Sequence, residues 1–299
     1  MRIIRYINEQ NEKQLAALSN SNEVYDLPFA DFIPFINYAQ DQNQTPVEYA
    51  QKVMNNSEAK KVLEDVYLTT PLDAPEVWAS GVTYEKSKEA RNYEATQGKL
   101  DSQTFYDKVY DAKRPEIFFK STAARTVGPN DPVFLRSDSN WQIPEPELGM
   151  VLNKEGKVLG YIAGNDMSCR DIEGENPLYL PQAKVWKNSC SIGPAILLEE
   201  AVADPYELQI ICRIYRDDVK VFEGDAKVGQ LKRKLVELID YLVLDNDIFD
   251  GTVLLTGTCI VPPNEFTLNE NDRVEIEIPG IGILSNSVKK TSPLLTNAN

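Results

Sequence analysis

The stretch that most constrains the fold runs from Trp141 to Pro194. It holds two apolar segments, residues 148–152 and 158–163, separated by a polar turn at Asn153 to Gly156. Two such runs about a turn read as a β-hairpin. The first strand is led in by Glu145-Pro146-Glu147, and the second runs into Gly164-Asn165-Asp166. Positions i and i+2 of a strand share a face, so both glutamates reach one site if Pro146 sits at a bulge or an edge. The return strand then brings Asp166 beside them. Three carboxylates with no sulfur or imidazole nearby suit a hard cation: Mg²⁺, Mn²⁺ or Ca²⁺. Glu-x-Glu also occurs on solvated strand faces. Here it borders a core strand, and the cluster Asn165 to Asp171 holds more polar groups than a loop after a buried strand needs.

The chain has no histidine among its 299 residues. That excludes a Ser-His-Asp triad, imidazole zinc ligands and a histidine base, so proton transfer falls to Glu, Asp, Lys, Tyr, Cys or water. The net charge of −15 argues against nucleic acid or an anionic membrane as partner. An anionic substrate then needs a local cation, a metal or a lysine. Cys169, Cys190, Cys212 and Cys259 show no CxxC spacing and read as reduced thiols of a cytoplasmic protein. No signal peptide or membrane-spanning stretch is expected.

Residues 1–70 read as a small N-terminal α/β domain, a structural cap or an assembly element. Residues 2–6 alternate as a strand, while 12–17 and 46–66 carry helical periodicity, the latter capped near Thr45. The Pro-rich junction 71–75 opens the larger domain, 71–299. In it, 77–82 reads as a buried strand, and 85–98 as a charged helical stretch. Glu116 lies among Pro115, Ile117, Phe118 and Phe119, and alternation puts Glu116, Phe118 and Lys120 on one face. Such a carboxylate either faces outward or is a desolvated acid with a raised pKa. Residues 228–241 read as an amphipathic helix whose Lys232-Arg233-Lys234 is a solvated face. Residues 253–258 read as a buried strand ending in Gly257-Thr258, and 291–299 as a disordered tail. Many short strands and few helices make the fold α+β and predominantly β.

Together these residues resemble the metal-binding core of the fumarylacetoacetate hydrolase superfamily. Glu145-Pro146-Glu147-Leu148 matches its first part; Asn165, Asp166, Ser168, Arg170 and Asp171 match its second. Lys184 stands nine residues before Gly193-Pro194, as the family lysine does. The resemblance covers residues 75–290. It implies a mixed β-sandwich or roll with Glu145, Glu147 and Asp166 as ligands of the divalent metal. It also implies Thr258 on the substrate carboxylate, with Thr83, Tyr84 and Ser87 as further substrate-binding positions. Family hydrolases carry a water-activating histidine where Ser87 stands, which counts against hydrolysis. Superfamily dehydratases of 2-keto-3-deoxy sugar acids carry a glutamate at the position of Glu116.

The resemblance therefore implies a lyase of pentose catabolism. A metal-chelated 2-keto-3-deoxy-pentonate, xylonate or arabinonate, loses a C3 proton to give an enolate, then the C4 hydroxyl, and becomes 2,5-dioxopentanoate. Lys184 is the candidate base and Glu116 the candidate acid, although the roles can be exchanged or shared through a water. The alternatives are an acylpyruvate or diketo-acid hydrolase, an oxaloacetate decarboxylase, or a non-catalytic acidic scaffold with a vestigial site. The expected partner is a small anionic 2-oxo acid, and the expected assembly a homodimer or dimer of dimers.

Overall fold

The computed structural model describes residues 1–59, 61–96 and 109–291. Strands β1 (Arg2–Ile7), β2 (Lys13–Leu18) and β3 (Glu23–Asp26) form a meander, followed by helices α1 (Phe32–Asp41) and α2 (Pro46–Asn55). Next come β4 (Val77–Gly81), α3 (Glu85–Thr96) and β5 (Glu116–Ser121). The expected hairpin is β6 (Pro146–Leu152) and β7 (Val158–Asp166). Helices α4 (Arg170–Glu175) and α5 (Leu180–Lys184) then lead to β8 (Cys190–Leu198). The chain continues through β9 (Gln209–Arg216), β10 (Val219–Lys227), α6 (Leu235–Val243) and β11 (Thr252–Leu255). Strands β12 (Arg273–Ile278) and β13 (Gly282–Lys290) follow.

The large sheet runs β3-β2-β1-β8-β7-β6-β11-β4-β5, and a second sheet runs β10-β9-β12-β13. Alternation along the hairpin explains how they pack. Leu148, Met150 and Leu152 of β6 join the core shared with Ile214 of β9 and Ile276 of β12. Val151 of β6 and Ile162 of β7 point the other way, into the core under Phe32 and Phe35 of α1. The large sheet is thus covered by a second sheet on one face and by helices on the other, the mixed β-sandwich expected of an α+β, mainly β chain. Counting back in twos from Val151 reaches Glu147 and Glu145; counting forward from Ile162 reaches Asp166. The carboxylates therefore continue the helix-side face, beyond the point where apolar side chains end.

Pro146 fits because pairing is one-sided where it lies. β6 pairs β7 at Pro146↔Asn165, but its ladder with β11 begins only at Gly149↔Leu255. The missing N–H of proline leaves no gap in that second ladder.

Residues 1–70 continue the large sheet. β1 pairs β8 through Ile3↔Ile196, and Ile3, Phe32 and Phe35 share a core with Val77, Ile192 and Leu255. Arg5, fully buried, donates to Thr70 O at 2.7 Å and Asp73 Oδ1 at 2.6 Å. Within this segment, α2 starts as expected, with a capping box between Thr45 and Glu48 and Pro46 in the first turn.

Three local expectations are corrected. Residues 12–17 do not form a helix: most of them lie in β2, where Leu15, Ala16, Ala17 and Leu18 are all buried between β1 and β3. A strand covered on both faces loses its period of two, and a four-residue apolar run, Leu15 to Leu18, cannot reveal its type. Helix α2 stops at Asn55 rather than continuing to Val66, since Asn55-Asn56-Ser57 is poor helix sequence. The helix expected from Val228 begins at Leu235, after a 3₁₀ turn at Val228–Gln230. The expected tail beyond 291 and the end of the helical stretch after Thr96 lie outside the described residues. Among the described residues no helix is long and apolar enough to cross a membrane.

Candidate active site and metal centre

Glu145 precedes β6, Glu147 lies in it and Asp166 closes β7. One oxygen from each lies within 4.8 Å of the others, and all three residues are buried. The backbone fixes them. Asn165 Oδ1 accepts the Glu145 N–H at 3.1 Å, and the Asp166 N–H donates to Glu145 O at 2.9 Å. Glu147 Oε2 accepts the Gly257 N–H at 2.6 Å, which draws the loop after β11 to the carboxylates. Gly257 is required there. Its φ is +96°, and a Cβ on it would stand 1.9 Å from Thr83 Oγ1. Burial, with the charge of Asp166 as a lesser cause, pushes Glu145 and Glu147 above the ordinary carboxylate range. Three buried oxygens that repel one another, without sulfur or imidazole, fit a hard divalent cation.

Two lysines offset part of this charge. Lys120 Nζ lies 2.6 Å from Asp166 Oδ1 and donates to Met167 O at 2.8 Å and Lys184 O at 2.6 Å. Lys184 Nζ pairs with Glu145, with Asp166 Oδ2 at 3.3 Å and with Glu173 Oε1 at 3.6 Å. Both lysines are fully buried. Burial would raise the Asp166 pKa, but Lys120 and Lys184 outweigh it and hold the group below the usual range. Burial likewise pulls Lys184 down, and Asp166, Glu145 and Glu173 outweigh it, so the ammonium form is held.

Glu116 enters from β5. It pairs Gly81 of β4 in the ladder, is half-buried, and its Oε2 is shut from solvent with no hydrogen-bond partner among the described residues. Burial raises its pKa first; Arg91 and Lys184 lower it, while Glu173 and Glu145 raise it. Phe118, on the same face of β5, lies under Lys184, with Nζ 5.6 Å from the ring centroid. The expected face of Glu116, Phe118 and Lys120 thus meets the carboxylate cluster.

The sequence model of the fumarylacetoacetate (FAA) hydrolase C-terminal family matches residues 85–289. The chain belongs to this family. It is 43% identical, over 93% of its length and 96% of the relative's, to the probable 2-keto-3-deoxyxylonate dehydratase of Haloferax volcanii. It is 48% identical to the 2-dehydro-3-deoxy-D-arabinonate dehydratase of Saccharolobus solfataricus, over 76% of each chain. A solved structure of 2-keto-3-deoxy-D-arabinonate dehydratase complexed with magnesium and 2,5-dioxopentanoate superposes with a TM-score of 0.81. The two are 38% identical, with 97% of this chain and 99% of that one covered.

The four positions anticipated for substrate in this fumarylacetoacetate hydrolase-type site are placed differently from one another. Tyr84 has a buried hydroxyl with no hydrogen-bond partner among the described residues. Its pKa is raised by burial, then by Cys259 and Glu147. Thr83 Oγ1 donates to Thr256 O at 2.9 Å and ties the 81–84 segment to the 256–258 loop. Thr258 closes a local turn, its Oγ1 accepting the Ile260 N–H at 3.2 Å. Ser87 Oγ donates to Tyr84 O at 2.7 Å and accepts the Tyr84 N–H at 3.2 Å, bonds that cap the start of α3.

Sequence reasoning passed over Glu173 and Arg91. Glu173 is buried in α4, where Ser168 Oγ donates to its Oε2 at 2.9 Å and Arg91 Nη2 lies 2.6 Å from Oε1. The signal for Glu173 was its place two residues after Asp171 of the matched cluster. Of the basic run, Lys232 and Lys234 are exposed as expected, but Arg233 is buried and donates to Lys113 O and Ala112 O.

Proposed function

We propose that this chain is a dehydratase that converts a 2-keto-3-deoxy-pentonate, the xylonate or arabinonate form, to 2,5-dioxopentanoate. The observation that carries the reading is Glu116, an acid with a raised pKa beside the carboxylate cluster whose Oε2 has no hydrogen-bond partner among the described residues, in a chain without histidine. Elimination of a hydroxyl needs a proton donor; C–C hydrolysis needs a group to activate water. The hydroxyl of Ser87 is spent on the Tyr84 backbone, and Glu85 and Glu89 are exposed, which disfavours the hydrolase alternative.

In this reading Glu145, Glu147 and Asp166 hold the divalent cation, magnesium foremost, with manganese or calcium as alternatives. When bound there, the ion supplies Lewis acidity to the 2-oxo group and makes the C3 protons easier to remove. Lys184 takes a C3 proton. Two of the three carboxylates that hold its own proton belong to the ligand set, so neutralising their charge releases it as a base. Glu116, protonated, delivers its proton to the C4 hydroxyl, which leaves as water. Return of a proton to C3 and loss of one from C5 give the enol of the C5 aldehyde, which tautomerises to 2,5-dioxopentanoate. Tyr84, with its free hydroxyl, and the 256–258 loop face the carboxylate end of the substrate.

The same proposal places the enzyme in the cytoplasm as a homodimer or dimer of dimers, with residues 1–70 as a domain capping the helix-side face. A net charge of −15 supports a small anion met by local cations rather than nucleic acid. The experiment is a screen of 2-keto-3-deoxy-xylonate, 2-keto-3-deoxy-arabinonate and acylpyruvates with magnesium, reading aldehyde against pyruvate. Aldehyde from a pentonate is the expected result; pyruvate from an acylpyruvate, with no aldehyde, overturns it.

A further inference from the structure

The reaction above gives Glu173 no task, yet its carboxylate lies in the middle of the buried cluster. Three elements converge on it. Ser168, directly after β7, donates to Oε2 at 2.9 Å; Arg91 of α3 lies 2.6 Å from Oε1, and Lys184 of α5 lies 3.6 Å from that same oxygen. Glu173 and Arg91 also line, with Glu116, a cavity of about 490 Å³ otherwise walled mainly by Val109, Ala112, Pro115 and Leu178.

A buried carboxylate is costly unless it is paired. Arg91 already pairs this one, so Lys184 is not needed to neutralise it. Lys184 needs Glu173 more than the reverse. Its ammonium sits at the end of a flexible four-carbon stem with three rotatable donors. Its other two acid partners, Glu145 and Asp166, are members of the ligand set.

We propose that Glu173 is a positioning residue for Lys184. It holds the lysine nitrogen over the carboxylate cluster, and Arg91 and Ser168 in turn hold Glu173. The proposal rests on Lys184 as the group that takes the C3 proton. A base displaced by about 1 Å loses on the order of 10²-fold in rate. The effect therefore belongs in proton removal and not in metal binding.

The test uses the full chain with magnesium and 2-oxobutanoate, which has C3 protons but no hydroxyl to lose. Its outcome is separate from whether the wild type dehydrates sugar acids. Deuterium entry at C3 from heavy water is followed in the wild type, Glu173→Gln and Glu173→Asp, with magnesium affinity measured by calorimetry. Glu173→Gln keeps the size and the bond from Ser168 but removes the charge. The expected result is a fall of about 10²-fold in the maximal exchange rate, with KM and magnesium affinity within about threefold and partial recovery in Glu173→Asp. Wild-type exchange in Glu173→Gln, a parallel loss of magnesium affinity, no recovery in Glu173→Asp, or no exchange in the wild type overturns it. If Glu173→Gln does not fold, Ser168→Ala replaces it: a fall of about tenfold at unchanged magnesium affinity supports the proposal, and an unchanged rate overturns it.

Discussion

The carboxylate of Glu116 occupies the space that a Cβ on Gly81 would need. The two residues are ladder partners on β4 and β5, and that Cβ would stand 2.0 Å from Glu116 Oε2 and 2.5 Å from its carboxyl carbon. The acid reaches the site across its neighbour's backbone, and only glycine leaves it room. Gly81→Ala should therefore push Glu116 aside without touching the ligand carboxylates. A fall of about 10²-fold in dehydration is expected, with magnesium affinity unchanged by calorimetry. Full activity in this variant would mean that the carboxylate works equally well elsewhere.

Glu145 and Glu147 are buried with pKa values above the ordinary range. A folded-state pKa above the unfolded one means that the folded state binds more protons, so stability falls as pH rises. The metal-free chain should lose stability from about pH 4.3 upward, the model-peptide value for Glu, until the raised pKa values are passed. Magnesium should reverse this, adding about 2.7 kcal/mol at a hundred times its Kd. Glu147→Gln should melt at or above the metal-free wild type, gain nothing from magnesium and show no activity. Thermal melts across pH, with magnesium and with chelator, read the stability outcomes, and a dehydration assay on the same variant reads the loss of activity.

How far the sequence foretold this site follows from where each side chain gets its address. Glu145, Glu147 and Asp166 were legible because a hairpin is local: a period of two and one turn bring them together. The face shared by Glu116, Phe118 and Lys120 was legible for the same reason. Glu173 and Arg91 were not, since nothing local tells that α3 lays Arg91 against α4. The pairing of β1 with β8 joins residues 3 and 196, a distance no pattern of apolar residues encodes. Helix α1 was overlooked because Pro34 lies in its first turn, where a proline is tolerated but is easily mistaken for a break. The buried role of Arg233 was hidden because a long cation in an expected amphipathic helix reads as solvated until its carbonyl partners are known, and the helix begins only at Leu235.

Arg5 joins the expected N-terminal domain to the junction after it. It is fully buried and pairs with Asp31 at 3.0 Å and Asp73 at 2.6 Å, groups that are 29% and 47% exposed. Removing one partner of a buried pair costs several kcal/mol, but two solvent-screened acids reduce that figure. Arg5→Met should lower the unfolding free energy by about 1–3 kcal/mol. The rate of the folded enzyme should not change, as Arg5 is not among the site's partners. Urea unfolding and activity on the same preparation test this. A loss of activity at unchanged stability would make the N-terminal segment part of the catalytic machinery.

Glu116→Gln separates elimination from everything before it. The substitution keeps the size and the hydrogen-bonding capacity of the side chain but cannot deliver a proton. If Glu116 protonates the leaving hydroxyl, dehydration should fall by on the order of 10²-fold or more. Magnesium affinity should barely change, because the carboxylates grouped to hold an ion are Glu145, Glu147 and Asp166. If Lys184 removes the C3 proton before water is lost, deuterium should still enter C3 of the sugar acid. The pH profile carries a second signature. The acid acts in its protonated form, and its raised pKa keeps that form present at higher pH than an ordinary carboxylate allows. The wild-type rate should fall along a limb as pH rises through this pKa, and the variant should lack that limb. Aldehyde release and deuterium entry are measured together on one preparation. Dehydration at the wild-type rate would reduce Glu116 to a bystander. Loss of both exchange and dehydration with magnesium still bound would make Glu116 the base and leave the acid's part to Lys184.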